Sequence, residues 1–259
     1  LNAFQDATSI ADLYDWDLIT SRIAAQAVLW EPGSRTVYHS MTFGFILGEV
    51  IRRVSGLTPR DYVAQHLAAP LGLDLFVGAP RAEWGRIAVL TPPPPPPADR
   101  PAPDPLVLRA ITNPMFSPFD TASDGWRDAQ IPAVNAHVTA RGMARLYAAI
   151  GNGGAIDGVR IMSAEAAQAM QQPLSQGPDL MMGPGAWGGG VLINRGGLFG
   201  PGSQAFGSCG FGGSNAYADP EIGVAAGYTP NRMFGTAVQD PRAMALAAAV
   251  AECAGRAGS

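Results

Sequence analysis

An α+β fold is what this sequence predicts: a mainly helical first half, then short antiparallel strands with a helix packed behind them. Three observations carry that expectation. Apolar residues recur at helical spacing through residue 72. A proline run spans residues 91 to 105. Beyond Trp187 the chain breaks into short glycine-bounded apolar segments, closed by an alanine-rich stretch. The alternating strand–helix order of a parallel sheet is absent. The 259 residues suit one catalytic-sized body in two lobes sharing a cleft, with 1–130 a mainly helical lobe and 131–259 a helix–strand lobe.

The elements follow in order. ATSIADLYDWDLITSRIAAQ predicts a helix with Ser9 as N-cap and Ile10, Leu13, Tyr14 and Leu18 at helical spacing. After a Pro32-Gly33 turn, SMTFGFILGEVIRRVSG predicts a largely buried helix, capped by Ser40 or Thr42 and ended by a left-handed Gly56. LTPRDYVAQHLAAPLG predicts another, with Thr58 as N-cap, Pro59 where its missing N–H costs nothing, and Pro70 as its end. TPPPPPPADRPAPDP favours extended polyproline II, read as a stiff surface connection between the lobes in preference to an SH3-type ligand. TARGMARLYAAI and SAEAAQAMQQ predict helices, the second capped by Ser163. GGVLIN, QAFGS, SNAYAD and IGVAAGY predict strands, and DPRAMALAAAVAEC a closing helix with Asp240 as cap and Pro241 at the first position.

Composition removes several function classes. The net charge is −4 with dispersed charges, so neither a nucleic-acid-binding run nor an acidic tail is present. No apolar stretch approaches the ~20 residues a membrane span needs. Two cysteines, Cys209 and Cys253, make no disulfide framework. The compartment is left open, with the cytoplasm somewhat favoured because no leader precedes Leu1. All 17 basic residues are arginine, so no chemistry that needs a lysine can arise within these residues.

One stretch bears most of the functional signal. WEPGSRTVYHS, residues 30 to 40, leads through a Pro-Gly turn to Tyr38 and straight into an apolar helix. Together with PLGLDLFVGAP, IPAVNAHVTARGMARLYAA and FGSCGFGGSNAYADPEIGVAAGYTPNRM, it resembles the serine β-lactamase and penicillin-binding-protein superfamily. The likeness is to its class C-like branch of esterases and β-lactamase-related hydrolases, and it covers nearly the whole chain. That resemblance implies the transpeptidase-like α+β fold, an antiparallel sheet flanked by helices plus a helical lobe. Family members carry a nucleophilic serine in S-x-x-K, a proton-shuttling tyrosine in Y-x-N or Y-x-S, and a K-T-G or H-x-G strand across the cleft.

By the resemblance, Tyr38 is the proton shuttle and Ser40 its polar partner. Ser208, Cys209, Gly210 and Phe211 form the substrate-facing strand, the Phe211 N–H is one oxyanion donor, and Asn135 lies near the cleft. Ser208 stands where the family has Lys or His, which favours neutral esters over anionic β-lactams. The implied ligand is a small-molecule ester or amide; neither metal nor organic cofactor is implied, and protein partners are not indicated. The S-x-x-K motif is missing. The expectation is an N-terminally truncated hydrolase, inactive alone, lacking the first strands and the nucleophile helix, and folding poorly for want of them. The alternative is a non-catalytic β-lactamase-like binding protein.

Plainer readings stand beside these. Tyr38 suits a packed anchor and Ser40 an N-cap. Cys209 suggests a nucleophile with His137 as base, but a lone strand cysteine is more often a small buried hydrophobe. His39 reads as structural and His66 as surface, and three scattered histidines give no metal signature. Trp187 reads as sheet packing ahead of an acyl pocket. GNGGAIDG and GGLFGPGS do not open a helix after a strand, so they make poor phosphate sites.

Overall fold

A computed structural model describes residues 2–95, 102–235 and 240–257. The middle of the proline run, where the extended polyproline conformation was expected, therefore lies outside the described residues. The chain enters through a 3₁₀ turn, Ala11–Tyr14, and then α1, Trp16–Ala25. These are two pieces where the sequence pattern predicts one helix. Ser9 and Asp12 exchange hydrogen bonds at 3.0 and 3.1 Å and close the first turn on itself. Asp15 then starts α1 afresh by accepting the Leu18 N–H at 2.9 Å.

Helix α2, Thr42–Ser55, ends at Gly56 with φ +75°, as its sequence indicates. Its start differs from expectation. Met41 occupies the N-cap without a side-chain hydrogen bond, and the Ser40 hydroxyl instead donates to the Ala110 carbonyl at 3.1 Å. Nor is α2 largely buried. Thr42, Gly44, Phe45 and Gly48 face inward, whereas Phe43, Leu47, Val50 and Val54 are exposed. At Gly48 a Cβ would meet the Trp16 ring at 2.5 Å, so glycine is what lets α1 lie this close. Glu49 ties the same two helices, accepting from the Trp16 indole at 2.9 Å and from Arg52 and Arg53 at 2.7 and 2.8 Å. Those hydrogen bonds, Arg52's foremost, hold its carboxyl down to about 2.

Helix α3, Pro59–Val63, is capped by Thr58 and widens into a π turn over Ala64–Ala68 before the short α4, Ala69–Leu71. Pro70 thus sits inside the last turn and does not end the helix. The wider turn has room for a ring that would crowd regular helix geometry. Strand β1, Leu75–Val77, follows. The next helices are α5, Pro105–Thr112, capped by Asp104, and α6, Asp124–Asp128, capped by Ser123; neither stood out from the sequence. Strand β2, Ala136–Val138, then returns to pair antiparallel with β1. This ribbon crosses the expected lobe boundary at residue 130, so the two halves share a strand pair. The core of the first half, Phe4, Leu13, Ile19, Met41, Phe45, Trp126 and Ile131, likewise draws on both sides of the proline run. Each such buried side chain contributes about 1.5–3 kcal/mol.

Helix α7, Ala140–Gly151, is capped by Thr139, and α8, Ala164–Met170, by Ser163; between them lies the ribbon β3, Ala155–Ile156, with β4, Val159–Arg160. The main sheet comprises β5, Ser175–Asp179; β6, Gly183–Trp187; β7, Leu192–Ile193; β8, Phe206–Cys209; β9, Asn215–Asp219; and β10, Val224–Tyr228. All neighbours are antiparallel, in the order β10-β9-β8-β7-β6-β5. Strands β5 and β6 were not expected, because GPD and GPG lack β-formers. Their prolines face each other, Pro178 opposite Pro184, on an edge strand and beyond the one residue pair that joins β6 to β7. There a missing N–H leaves the rest of the ladder intact. Residues of α7 and α8 cover one face of the sheet through Ile150, Phe206 and Ala218. The closing helix α9, Pro241–Ala257, covers the other through Ala247, Leu192 and Tyr217.

Candidate active site

The turn at Gly33, φ +83°, delivers residues 36 to 40 to the edge of the sheet. The Thr36 and Ser175 hydroxyls meet at 2.7 Å, which fixes the segment alongside β5. Two residues on, the half-buried Tyr38 ring stacks on Trp187 of β6, centroids 5.5 Å apart and planes 22° apart. Trp187 sits opposite Leu192, which sits opposite Gly207, so Tyr38 lies against the same transverse row of the sheet that carries β8. Burial pushes the phenol above its ordinary value, and the Asp179 carboxylate and Cys209 thiol push it further. Tyr38 is therefore a neutral proton donor as it stands. To serve as a base near neutrality it needs a cation beside it.

Strand β8 presents Ser208 to solvent, with Cys209 and Gly210 half-buried and Phe211 58% exposed in the turn that follows. The turn is closed by Gly210 N–H to the Ser214 carbonyl at 2.9 Å and Gly213 N–H to the Gly210 carbonyl at 3.0 Å. Those two bonds leave the Phe211 N–H without a hydrogen-bond partner among the described residues. Behind the strand, Tyr147 of α7 packs near Phe206. Burial drives its phenol far up, a hydrogen bond with Ser208 pulling the other way.

Other candidates fall elsewhere. Asn135 is 2% exposed, and all of its hydrogen bonds go to backbone: it accepts from Ile131 N–H at 3.0 Å and donates to the Trp126 and Ala129 carbonyls at 3.0 and 2.6 Å. It staples its own loop, with both amide hydrogens committed to backbone carbonyls. Burial pushes the Cys209 thiol up to about 12, against the thiolate a cysteine nucleophile needs, and the Asn215 amide donates to its sulfur at 3.6 Å. His137 belongs to β2, in the separate two-stranded ribbon, and burial holds its imidazole below the usual range. His39 turns back to the Thr42 hydroxyl at 3.1 Å, and His66 is exposed against the Tyr62 ring.

Two neighbours of Tyr38 were not legible. Asp179 is 4% exposed, accepts from the Met181 and Met182 N–H groups at 2.8 and 2.9 Å, and leaves its second oxygen buried without a partner among the described residues. Ser175 anchors the approach of the tyrosine segment. Both lie on β5, whose sequence signals a loop. Trp187 combines two roles, packing with the Leu192 and Phe199 cluster and stacking on Tyr38.

A tyrosine segment docked on the edge of an antiparallel sheet, with helices on both faces, is the architecture of the penicillin-recognising serine hydrolases. The Beta-lactamase family model matches residues 1–250, and the chain belongs to that family, within the serine β-lactamase and penicillin-binding-protein superfamily. In particular, it is similar to Esterase/beta-lactamase LipL of Mycobacterium tuberculosis (strain ATCC 25618 / H37Rv), 33% identical over 262 residues. That match takes in 94% of this chain and 58% of the mycobacterial protein. Among solved structures it resembles a family VIII carboxylesterase, with TM-score 0.88 and 32% identity over 96% of this chain and 67% of the other. It also resembles a penicillin-binding-protein homologue from Caulobacter crescentus, with TM-score 0.89 and 36% identity over 97% and 68%. The chain thus spans little more than half the length of its curated relative. Among the described residues no helix is long and apolar enough to cross a membrane.

Proposed function

We propose that these residues form the tyrosine side and the substrate-facing strand of an acyl-transfer cleft that hydrolyses neutral esters or amides. The nucleophilic Ser-x-x-Lys would come from sequence outside the 259 residues. The observation that carries the reading is the seat of Tyr38: stacked on Trp187, its phenol raised and its base form unsupported, it lacks only a cation to become a proton shuttle. In the reaction, a serine hydroxyl attacks the carbonyl and its proton passes to the shuttle. Collapse of the tetrahedral adduct expels the alcohol or amine, which Tyr38 protonates, and water then releases the acid from the acyl-enzyme. Ser40 holds the polypeptide just beyond the tyrosine through the Ala110 carbonyl. Ser208 offers a hydroxyl without charge, which favours neutral substrates, and the unpaired Phe211 N–H is suited to receive the developing oxyanion. The esterase names among the relatives support this class.

The test is hydrolysis of p-nitrophenyl butyrate together with labelling by a fluorophosphonate probe. The 259-residue chain is expected to give neither. A form extended to include a Ser-x-x-Lys segment is expected to give both, and Tyr38→Phe in it to lower kcat by about 10²–10⁴. Activity in the 259-residue chain that disappears in Ser208→Ala would overturn the assignment of the nucleophile. The uncharged third motif also favours a second reading, a non-catalytic binding protein. A coding sequence without Ser-x-x-Lys upstream of Leu1 would put that reading first.

A further inference from the structure

The start of α9 plays no part in the chemistry above, yet it lies directly against the turn that presents Phe211. Asp240 is 5% exposed and holds the Arg242 guanidinium through contacts of 2.6 Å from Nη2 and 3.0 Å from Nε, and its Oδ1 also accepts the Arg242 N–H at 2.9 Å. Burial alone would raise this carboxyl, but the Arg242 hydrogen bonds outweigh it and keep it ionised. Arg242 spends its remaining donors on backbone: Nη1 on the Arg232 carbonyl at 2.9 Å, Nη2 on the Gly212 carbonyl at 3.5 Å. Residues 231–234 are thereby pinned. On their other side Thr91 donates to the Asn231 carbonyl at 2.7 Å and accepts the Met233 N–H at 2.9 Å. From that braced segment the Phe234 N–H reaches the Gly212 carbonyl at 2.8 Å.

The pinned groups converge on one peptide plane. Gly212 and Gly213 hold φ of +103° and +100°, where other residues are strained. A Cβ on Gly213 would collide with the Asp240 carboxylate, and one on Gly212 would meet the Met233 methyl at 2.9 Å. Gly213 is thus wedged between the ion pair and the turn, and its N–H holds the Gly210 carbonyl at 3.0 Å. In a trans peptide the C=O and N–H point in opposite directions, so fixing the Gly210 carbonyl fixes the direction of the Phe211 N–H. We infer that Asp240 and Arg242 are positioning residues for the Phe211 N–H: the cap of the C-terminal helix, acting through Gly213 and the 231–234 segment, sets the aim of the oxyanion donor. The inference rests on the reading of that N–H given under the proposed function.

The test is residue-resolved amide hydrogen exchange on the 259-residue chain, comparing Arg242→Ala, Arg242→Lys and, as a surface control whose ion pairs lie outside this network, Arg86→Ala. The expected result is exchange of the Gly213 amide at least about tenfold faster in Arg242→Ala, partial recovery in Arg242→Lys, and no change in the control, with Phe206 and Tyr217 in the adjoining strands unaltered. Unchanged Gly213 exchange, or loosening spread evenly along β8 and β9, would overturn the inference. Should Arg242→Ala fail to fold, Asp240→Asn, which keeps size and cap, is judged by the same criteria. In an extended form that hydrolyses esters, Arg242→Ala is expected to lower kcat by about tenfold with KM within about twofold. A change confined to KM would count against positioning. Exchange reports on the turn whether or not the protein is an esterase, so a failed esterase assay and a failed positioning claim give different results.

Discussion

Asn135 shows how far one buried amide reaches. Its three hydrogen bonds satisfy backbone groups of Trp126, Ala129 and Ile131, beneath a core that includes all three of those side chains. Asn135→Ala strands all three groups away from water, and we expect a loss on the order of 3 kcal/mol, read as a lower urea midpoint at constant slope. Cys209 gives a pH-dependent contrast with the exposed Cys253. At pH 8 iodoacetamide should modify Cys253 in the native protein and Cys209 only after unfolding, and equal rates at both would contradict the burial argument. Because the folded state holds the Cys209 proton up to about 12, from an ordinary 9.0, this residue's contribution to stability is intact below pH 9 and declines between those values. The identity of Tyr38 was legible from its motif, but its seat was not. Trp187, Ser175 and Asp179 come to it from residues more than a hundred positions away.

Whether an element was legible depended on where its determinants lie. Helix caps are local chemistry, and Thr58, Ser163, Asp240 and Gly56 all stand at the ends where their side chains or backbone freedom place them. Strands β5 and β6 are held by their partners, so a GPD or GPG segment reads as a loop until its neighbour is known. Helix α2 misled in a different way. Its apolar residues run all round, which signals burial, yet Phe43, Leu47, Val50 and Val54 form a continuous exposed stripe at spacings of four, three and four. Such a stripe in an isolated chain promotes association. Leu47→Glu with Val50→Gln should reduce dye binding by 1-anilinonaphthalene-8-sulfonate and shift sedimentation toward monomer, while helix content by circular dichroism stays level. Unchanged dye binding would show that the stripe is not the adhesive surface.

At the scale of the molecule, the α+β class and the longer helices were legible from periodicity, whereas α5, α6 and strands β1, β2, β5 and β6 carry too little pattern of their own to be read without their partners. The division expected at residue 130 is bridged by the β1–β2 pair, and the helical core draws Trp126 and Ile131 to Phe4 and Phe45. That pairing has a consequence for how the body is tied together. The run is the covalent link between the two stretches of chain, and among the described residues non-covalent contacts also join them, including the three-residue β1–β2 ladder, the mixed core, the Tyr38–Trp187 stack and Thr91 bonded to Asn231 and Met233. A break in the polypeptide between Thr91 and Asp104 would leave each of these contacts in place. The two pieces would be natural partners for fragment complementation, one carrying Tyr38 and the other Trp187 and the Phe211 turn, so that reassembly itself would return the tyrosine to its seat on the sheet.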